Sequence, residues 1–366
     1  MDKPKIKVVS LFSGVGFQEM GIKNCDLYDV EVVATCDLDN YATIAYAAIH
    51  NGMTEEMVEN WNYPSRSQMA DDLIKLNMGY DFQNDKAYNW KKKVNGKDKF
   101  LNKVWLACYL NNNLGDIACV KELPECDLLF FSSPCQCFSV AGSQEGINCT
   151  CNDCGHVFNP FDIDVEHRDK CPNCGSENIQ GTRSGQLAEV ERLLVDMQKK
   201  DILPKYCFLE NVDALVSKKF KPDFDKWCQR MENLGYNTYW KVLNGKECGV
   251  PQNRKRVFAL WIRKDIDTET FTFPIPFDNG KRLKDVLLPS EEVDEKYYIE
   301  NDRSKKLIED LIANGSLKWI DEELCTSNGE PFEEGIAFTF KPREQVETEQ
   351  ERWEFDNGET DDTTEQ

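Results

Sequence analysis

Short apolar runs alternate with helical periodicity through the first part of the chain. Ile6–Leu11 reads as a buried strand, Phe12–Gly16 as a tight turn and Phe17–Asn24 as a helix. Val30–Cys36 follows as a second strand and Asn40–Ile49 as a second helix. Further apolar strands fall at Leu128–Phe131, Tyr206–Leu209 and Val257–Ile262. Strands separated by helices predict a doubly wound α/β fold, with a mostly parallel sheet covered on both faces. Two segments interrupt the alternation. Met53–Leu114 is polar, rich in Asn, Lys and aromatic residues, and helical in pattern, whereas Asn148–Gln180 carries paired cysteines. Beyond Pro289 the pattern yields one helix, Ser304–Asn314, and then irregular chain. Glu344–Gln366 is mostly Glu, Asp, Thr and Gln, a composition that predicts disorder. The expected layout is a main domain over 1–290 with insertions at 53–114 and 148–180, a short region at 291–343 and an acidic tail at 344–366.

The chain has 366 residues, enough for a full core. No apolar run approaches twenty residues, so no membrane span is expected. Met1–Lys7 is charged and is not a signal peptide. Sixteen cysteines without a secretion signal favour reduced thiols and a metal site, and a cytoplasmic protein, over a disulfide framework. The net charge of -21 argues against a nucleic-acid partner. Its distribution weakens that objection, because residues 291–366 hold 24 acidic and 8 basic side chains, a balance of -16. Lys91, Lys92, Lys93, Lys97, Lys99 and Lys103 form a local basic cluster, read as a solvated helix face.

Chemistry-bearing residues recur where strands end. Phe12, Ser13, Gly14 and Gly16 form a glycine turn after the first strand, where the backbone can approach a ligand or simply pack a helix on the sheet. Asp37 ends the second strand, the position of a ribose-binding carboxylate, and Asp39 suits a helix N-cap. Asp116 lies near another expected strand end, to contact an adenine amino group or close a turn. Pro134-Cys135-Gln136 follows a buried strand at the edge where open α/β sheets bind ligands, and a cysteine there is either a nucleophile or a buried structural thiol. Glu210 sits at the same edge within Glu210-Asn211-Val212, and Gln252-Asn253-Arg254-Lys255-Arg256 precedes the last strand.

In this order, these motifs resemble the cytosine-5 DNA methyltransferase family. Phe12, Gly14 and Gly16 match its cofactor loop, and Pro134, Cys135 and Gln136, with Phe138 and Ser139, match its nucleophile motif. Glu210-Asn211-Val212 matches its Glu-Asn-Val motif, and Gln252, Arg254 and Arg256 its Gln-x-Arg-x-Arg motif. Arg183, Ser184, Gly185 and Leu187 resemble a segment that lines the cofactor site. Asp37 stands where the family often has Glu. The resemblance implies a methyltransferase domain over 1–290, with S-adenosylmethionine held by Phe12, Ser13, Gly14, Gly16, Asp37, Asp116, Pro134 and Leu187. It also implies that Cys135 adds to carbon 6 of cytosine, that Glu210 hydrogen-bonds or protonates the ring at N3, and that Arg256, with Arg254 nearby, contacts the base oxygen. DNA is the implied partner, its target base flipped out of the duplex.

No recognition region of normal length follows Arg256, and the family's later motifs are not found. A fragment, or one half of a split enzyme completed by a second polypeptide, is therefore expected to methylate poorly alone. A transfer-RNA methyltransferase and a non-catalytic cofactor- or partner-binding protein remain the alternative functions. Cys151, Cys154, Cys171 and Cys174 form two Cys-x-x-Cys pairs separated by sixteen residues, a zinc-ribbon spacing suited to one structural zinc.

Overall fold

The computed structural model describes residues 3–81, 86–96, 99–134, 146–182, 184–289, 292, 302–315, 317–320 and 323–326. The chain divides into two compact units, residues 1–282 and 283–366.

The first unit is built on six strands: β1 (Lys5–Leu11), β2 (Asp29–Cys36), β3 (Leu128–Phe131), β4 (Tyr206–Val212), β5 (Tyr236–Asn244) and β6 (Lys255–Arg263). Their order across the sheet is β5-β6-β4-β3-β1-β2. Strands β2, β1, β3 and β4 pair in parallel, and β6 runs antiparallel to both of its neighbours. The five strands expected at Ile6–Leu11, Val30–Cys36, Leu128–Phe131, Tyr206–Leu209 and Val257–Ile262 are present. Strand β5 was not anticipated: its Tyr-Asn-Thr-Tyr-Trp-Lys sequence lies at a sheet edge and lacks a continuous apolar run.

Side chains alternate between the faces, as strand geometry requires. Val9, Leu11, Leu129, Phe131, Leu209, Val257 and Trp261 join the main core with α6 (Leu187–Lys199) and α7 (Lys221–Asn233). Ile6, Val8, Leu128 and Phe130 point the other way, packing with Ile22 of α1 (Phe17–Asn24). Helix α2 (Asn40–Asn51) follows β2, capped by Asp39. Because β1 has β2 on one side and β3 on the other, the loops after β1 and β3 meet at the point where strand order reverses, the usual ligand crevice of such sheets.

The 53–114 insertion is helical, with α3 (Glu55–Asn60), α4 (Arg66–Lys75), a short turn at Trp90–Lys93 and α5 (Phe100–Leu110). Met69, Leu73, Met78, Trp90, Leu101 and Val104 give it a core of its own. Asn51 Nδ2 on α2 donates to Asn111 Oδ1 at 2.8 Å, pinning the insertion's two ends together. Lys91 and Lys92 are exposed, while Lys99 and Lys103 pair with Glu59 and Glu55 at 2.7 and 2.5 Å. Lys97 lies outside the described residues.

The cysteine insertion forms a small sheet of Cys149–Cys151, Val157–Phe158 and Ile179–Gly181. Cys149 pairs with both Phe158 and Gly181, so this element leaves and rejoins the main chain at neighbouring positions. In the second unit a helix, Asp302–Ala313, matches the one expected. A hairpin of Leu317–Ile320 with Glu323–Thr326 replaces the irregular chain expected after it. The acidic segment 344–366 lies outside the described residues.

Candidate active site and cysteine cluster

At the C-terminal edge of β1 the chain turns sharply through left-handed backbone. Phe12, Gly14 and Gly16 have φ of 54°, 53° and 80°. A bulky residue at positive φ is strained, and such strain concentrates at ligand loops. The two glycines serve different needs. Nothing lies within 4 Å of where a Cβ on Gly14 would stand, whereas one on Gly16 would meet Tyr46 Cε2 at 2.7 Å. The space beside Gly14 is thus open, and Gly16 permits close packing against α2.

Asp37 braces this loop. Its Oδ2 accepts from Gly14 N and its Oδ1 from Asp39 N, both at 2.8 Å. Burial pushes its carboxyl above the ordinary carboxylate range, opposed by the backbone N–H groups of Asp39 and Gly14. The buried Asn113 was missed in the sequence and holds Asp37 from behind. Its Oδ1 accepts from Asp37 N at 3.0 Å and its Nδ2 donates to Asp37 O at 2.9 Å. Asn113 also forms an isolated parallel bridge with Thr35, so the strand expected before Asp116 is reduced to one bridge. Asp116 itself caps the turn Ile117–Cys119, accepting from Ala118 N at 3.0 Å and Asn77 Nδ2 at 2.8 Å. Leu187 is fully buried in the main core and belongs to its packing.

At the ends of β3 and β4 a second group converges. Asn211 is buried and donates from Nδ2 to Ser133 O at 3.0 Å and to Ser133 Oγ at 3.3 Å. This contact fixes the chain immediately before Pro134. Gln18 on α1 donates to Ser132 Oγ, tying the same turn to the helix that follows the glycine turn. Cys135–Glu145 and Arg183 lie outside the described residues. Glu210 on β4 and Arg256 on β6 form an ion pair, Nε to Oε1, at 3.1 Å. The antiparallel register explains it, since Arg256 stands opposite Val212 and Phe258 opposite Glu210. Arg254 is exposed at the same edge, its backbone N–H held by Asn244 Oδ1 at 3.0 Å. Sequence reasoning passed over Asn244 because a lone asparagine at a strand end carries no distinctive pattern.

The four paired cysteines come together. Their Sγ atoms all lie within 4.8 Å of one another, with Cys151–Cys174 at 3.6 Å and Cys154–Cys171 at 3.7 Å. Tetrahedral zinc with bonds of about 2.3 Å separates its thiolates by about 3.8 Å, so the arrangement fits that ion. Each pair is a tight knuckle, in which Gly155 N donates to Cys151 O and Gly175 N to Cys171 O, both at 2.8 Å. The His156 backbone N–H and the Asn173 amide pull the Cys154 thiol down, while Cys174, though eased by the Ser176 backbone N–H, is pushed up by the facing Cys154, so the cluster favours a first thiolate and resists further ones until a cation is present.

The mostly parallel sheet, with a glycine turn, a carboxylate brace and polar groups at its strand ends, is that of an α/β methyltransferase fold. A model of the family described as C-5 cytosine-specific DNA methylase matches residues 92–154 and 173–351. The chain is 31% identical over 311 residues to type II methyltransferase M2.ScrFI of Lactococcus lactis subsp. cremoris, covering 84% of this chain and 74% of that one. It is 28% identical to orphan methyltransferase M.SPBetaI of Bacillus phage SPbeta, covering 84% and 62%. It is 30% identical to orphan methyltransferase M.SssI of Spiroplasma monobiae, covering 70% and 59%. The chain belongs to the C-5 cytosine-specific DNA methylase family. The break in the family match, residues 155–172, falls inside the cysteine insertion. No helix among the described residues is long and apolar enough to cross a membrane.

Proposed function

We propose that this chain methylates carbon 5 of cytosine in DNA through a covalent adduct on Cys135. The observation that carries the reading is the Glu210–Arg256 ion pair at the strand edge, beside the turn that Asn211 holds just before Pro134-Cys135. S-adenosylmethionine supplies the electrophilic methyl group. The open face of Gly14 and the Asp37 carboxylate, with Asp116 nearby, suit its binding. Cys135 adds through sulfur to carbon 6. Glu210 hydrogen-bonds N3 and stabilises charge displaced into the ring, and Arg256 holds Glu210 in place and reaches the base oxygen. Carbon 5 thereby gains the electron density to accept a methyl group. Loss of its proton then expels the thiolate. A base inside a duplex cannot reach this edge, so the target nucleotide is flipped out.

The four cysteines hold one structural zinc in this reading, and the protein acts in the cytoplasm. Base readout needs side chains aimed into a groove, with phosphate contacts to keep register. Residues 291–366, with a balance of -16, are ill suited to that task, which falls to other residues or to a second polypeptide. The test is covalent trapping on DNA containing 5-fluorocytosine in the presence of cofactor. The expected result is an adduct that Cys135→Ser abolishes and Cys137→Ser retains. An adduct formed through Cys137, or on RNA alone, would overturn the assignment.

A further inference from the structure

The cysteine insertion is docked inward. Its residues 149–181 hold six acidic and two basic side chains, a poor surface for phosphate. One of the two basic residues, Arg168, is turned into the protein. Its NH2 group donates to Glu191 Oε2 of α6 at 2.7 Å, and its Nε donates to the carbonyls of Pro160 and Ile163 at 2.6 and 3.2 Å. Arg230 of α7 approaches from the other side. It donates to Phe161 O at 2.6 Å and lies 3.8 Å from Glu191 Oε1. The Glu191 side chain is only 4% exposed and stands between these two guanidinium groups. Arg168 precedes the zinc-ligand candidate Cys171 by three residues, so the buried ion pair lies one short segment of chain from the second knuckle.

The residue after Glu191 reaches the opposite way. Arg192 donates to Val120 O at 2.7 Å and to Ile117 O at 3.3 Å. Those carbonyls belong to the turn that Asp116 caps. Adjacent residues on a helix point about 100° apart, and here they link the cysteine element to the cofactor side of the sheet.

We propose that metal binding at the four cysteines and cofactor binding at the Asp37–Asp116 edge are coupled through α6, with Glu191 as the positioning residue. The proposal rests on the reading of that edge as the S-adenosylmethionine site. Zinc fixes the second knuckle and hence Arg168; Arg168 fixes Glu191; and the helix then sets Arg192 against the Ile117–Val120 turn. The coupling is reciprocal, so cofactor also tightens zinc.

Titration calorimetry with S-adenosylhomocysteine, on the full chain loaded with zinc and after chelation, tests this. Chelation is expected to weaken wild-type binding by about fivefold or more. Glu191→Gln is expected to retain zinc, bind the cofactor product more weakly and show less than about twofold dependence on zinc. Arg192→Gln leaves the buried ion pair intact and is expected to lose the zinc dependence in the same way, should Glu191→Gln not fold. Hydrogen exchange gives a reading independent of the ligand: chelation should expose the Ile117–Val120 amides while β1 and β3 stay protected. Equal affinity with and without zinc in the wild type, or undiminished zinc dependence in both variants, overturns the coupling. Loss of protection throughout the sheet on chelation also overturns it, since the metal would then support the whole fold. Failure to bind zinc removes the site. A zinc-loaded protein that binds no S-adenosylhomocysteine, yet keeps the exchange response, defeats the functional reading and leaves the mechanical link standing.

Discussion

Replacing Gly16 with alanine should separate packing from ligand approach in the glycine turn. At φ 80° an L-residue pays about 1–2 kcal/mol for left-handed backbone. The new methyl group would meet His50 Cδ2 and Tyr46 Cε2 at 2.7 Å, well inside contact distance. Neither ring can yield freely. Tyr46 is fully buried, its ring centroid 4.4 Å from that of His50, and His50 Nε2 lies 3.1 Å from Val15 O. Overpacking of that kind costs about 1–3 kcal/mol. The alanine also restricts the unfolded chain, which offsets about 0.4–1 kcal/mol. The net destabilisation is about 1–5 kcal/mol by these terms. Gly14→Ala meets nothing within 4 Å and carries only the backbone cost, about 1 kcal/mol after the same offset. It should instead weaken S-adenosylhomocysteine, because its methyl group projects into the open space. Urea denaturation followed by tryptophan fluorescence, with calorimetry for the ligand, measures both. A Gly16→Ala variant within 1 kcal/mol of wild type would refute the packing argument (the smallest overpacking cost being about that size), as would a Gly14→Ala variant equally unstable.

Three further outcomes are expected. Arg256→Lys removes the Nε contact to Glu210 and should lower kcat for DNA methylation by about tenfold or more, with cofactor affinity unchanged; an unchanged kcat would remove Arg256 from the chemistry. Burial raises the Asp127 carboxyl, but the Lys205 ammonium and the Lys7 backbone N–H outweigh it and hold the pKa below its ordinary 3.8. Its contribution to stability is therefore present above pH 3.8 and lost as pH falls through the lower folded value. Asp127→Asn should flatten that acid limb in denaturation curves, and an identical limb in the variant would contradict the assignment. Purified protein should contain about one zinc per chain by metal analysis. Cys171→Ser should lose the zinc and thermal stability together, and a variant that kept both would exclude Cys171 as a ligand.

Most of the sheet was legible because β3 and the end of β1 are buried on both faces and read as apolar runs, while β4 keeps a buried alternate face that begins with an apolar stretch. The edge strand β5 was not, since one side of its backbone and much of its surface meet solvent. The site divides in the same way. Glu210, Arg254, Arg256 and Asp37 announced themselves through motifs at strand ends, and the four cysteines through spacing. Asn113, Asn211 in its grip on Ser133, Asn244 and Glu191 act through partners distant in sequence: Asn211 and Ser133 are 78 residues apart. No local pattern encodes such pairs. Asp116 also caps the turn Ile117–Cys119 and Leu187 also packs in the main core, structural roles that their sequence contexts did not display.

The pinned ends of the helical insertion bear on how fast the sheet can assemble. Strands β2 and β3 both flank β1, yet more than ninety residues separate Cys36 from Leu128. The hydrogen bonds from Asn51 to Asn111 and Leu110 pinch off most of that length. If the insertion's own core forms first, the chain left to close is about a third as long, which lowers the loop-closure cost by roughly 1 kcal/mol. The insertion then acts as a kinetic splint, and a lesion at Trp90, which is buried in the insertion's own core, would delay the docking of β3 onto β1.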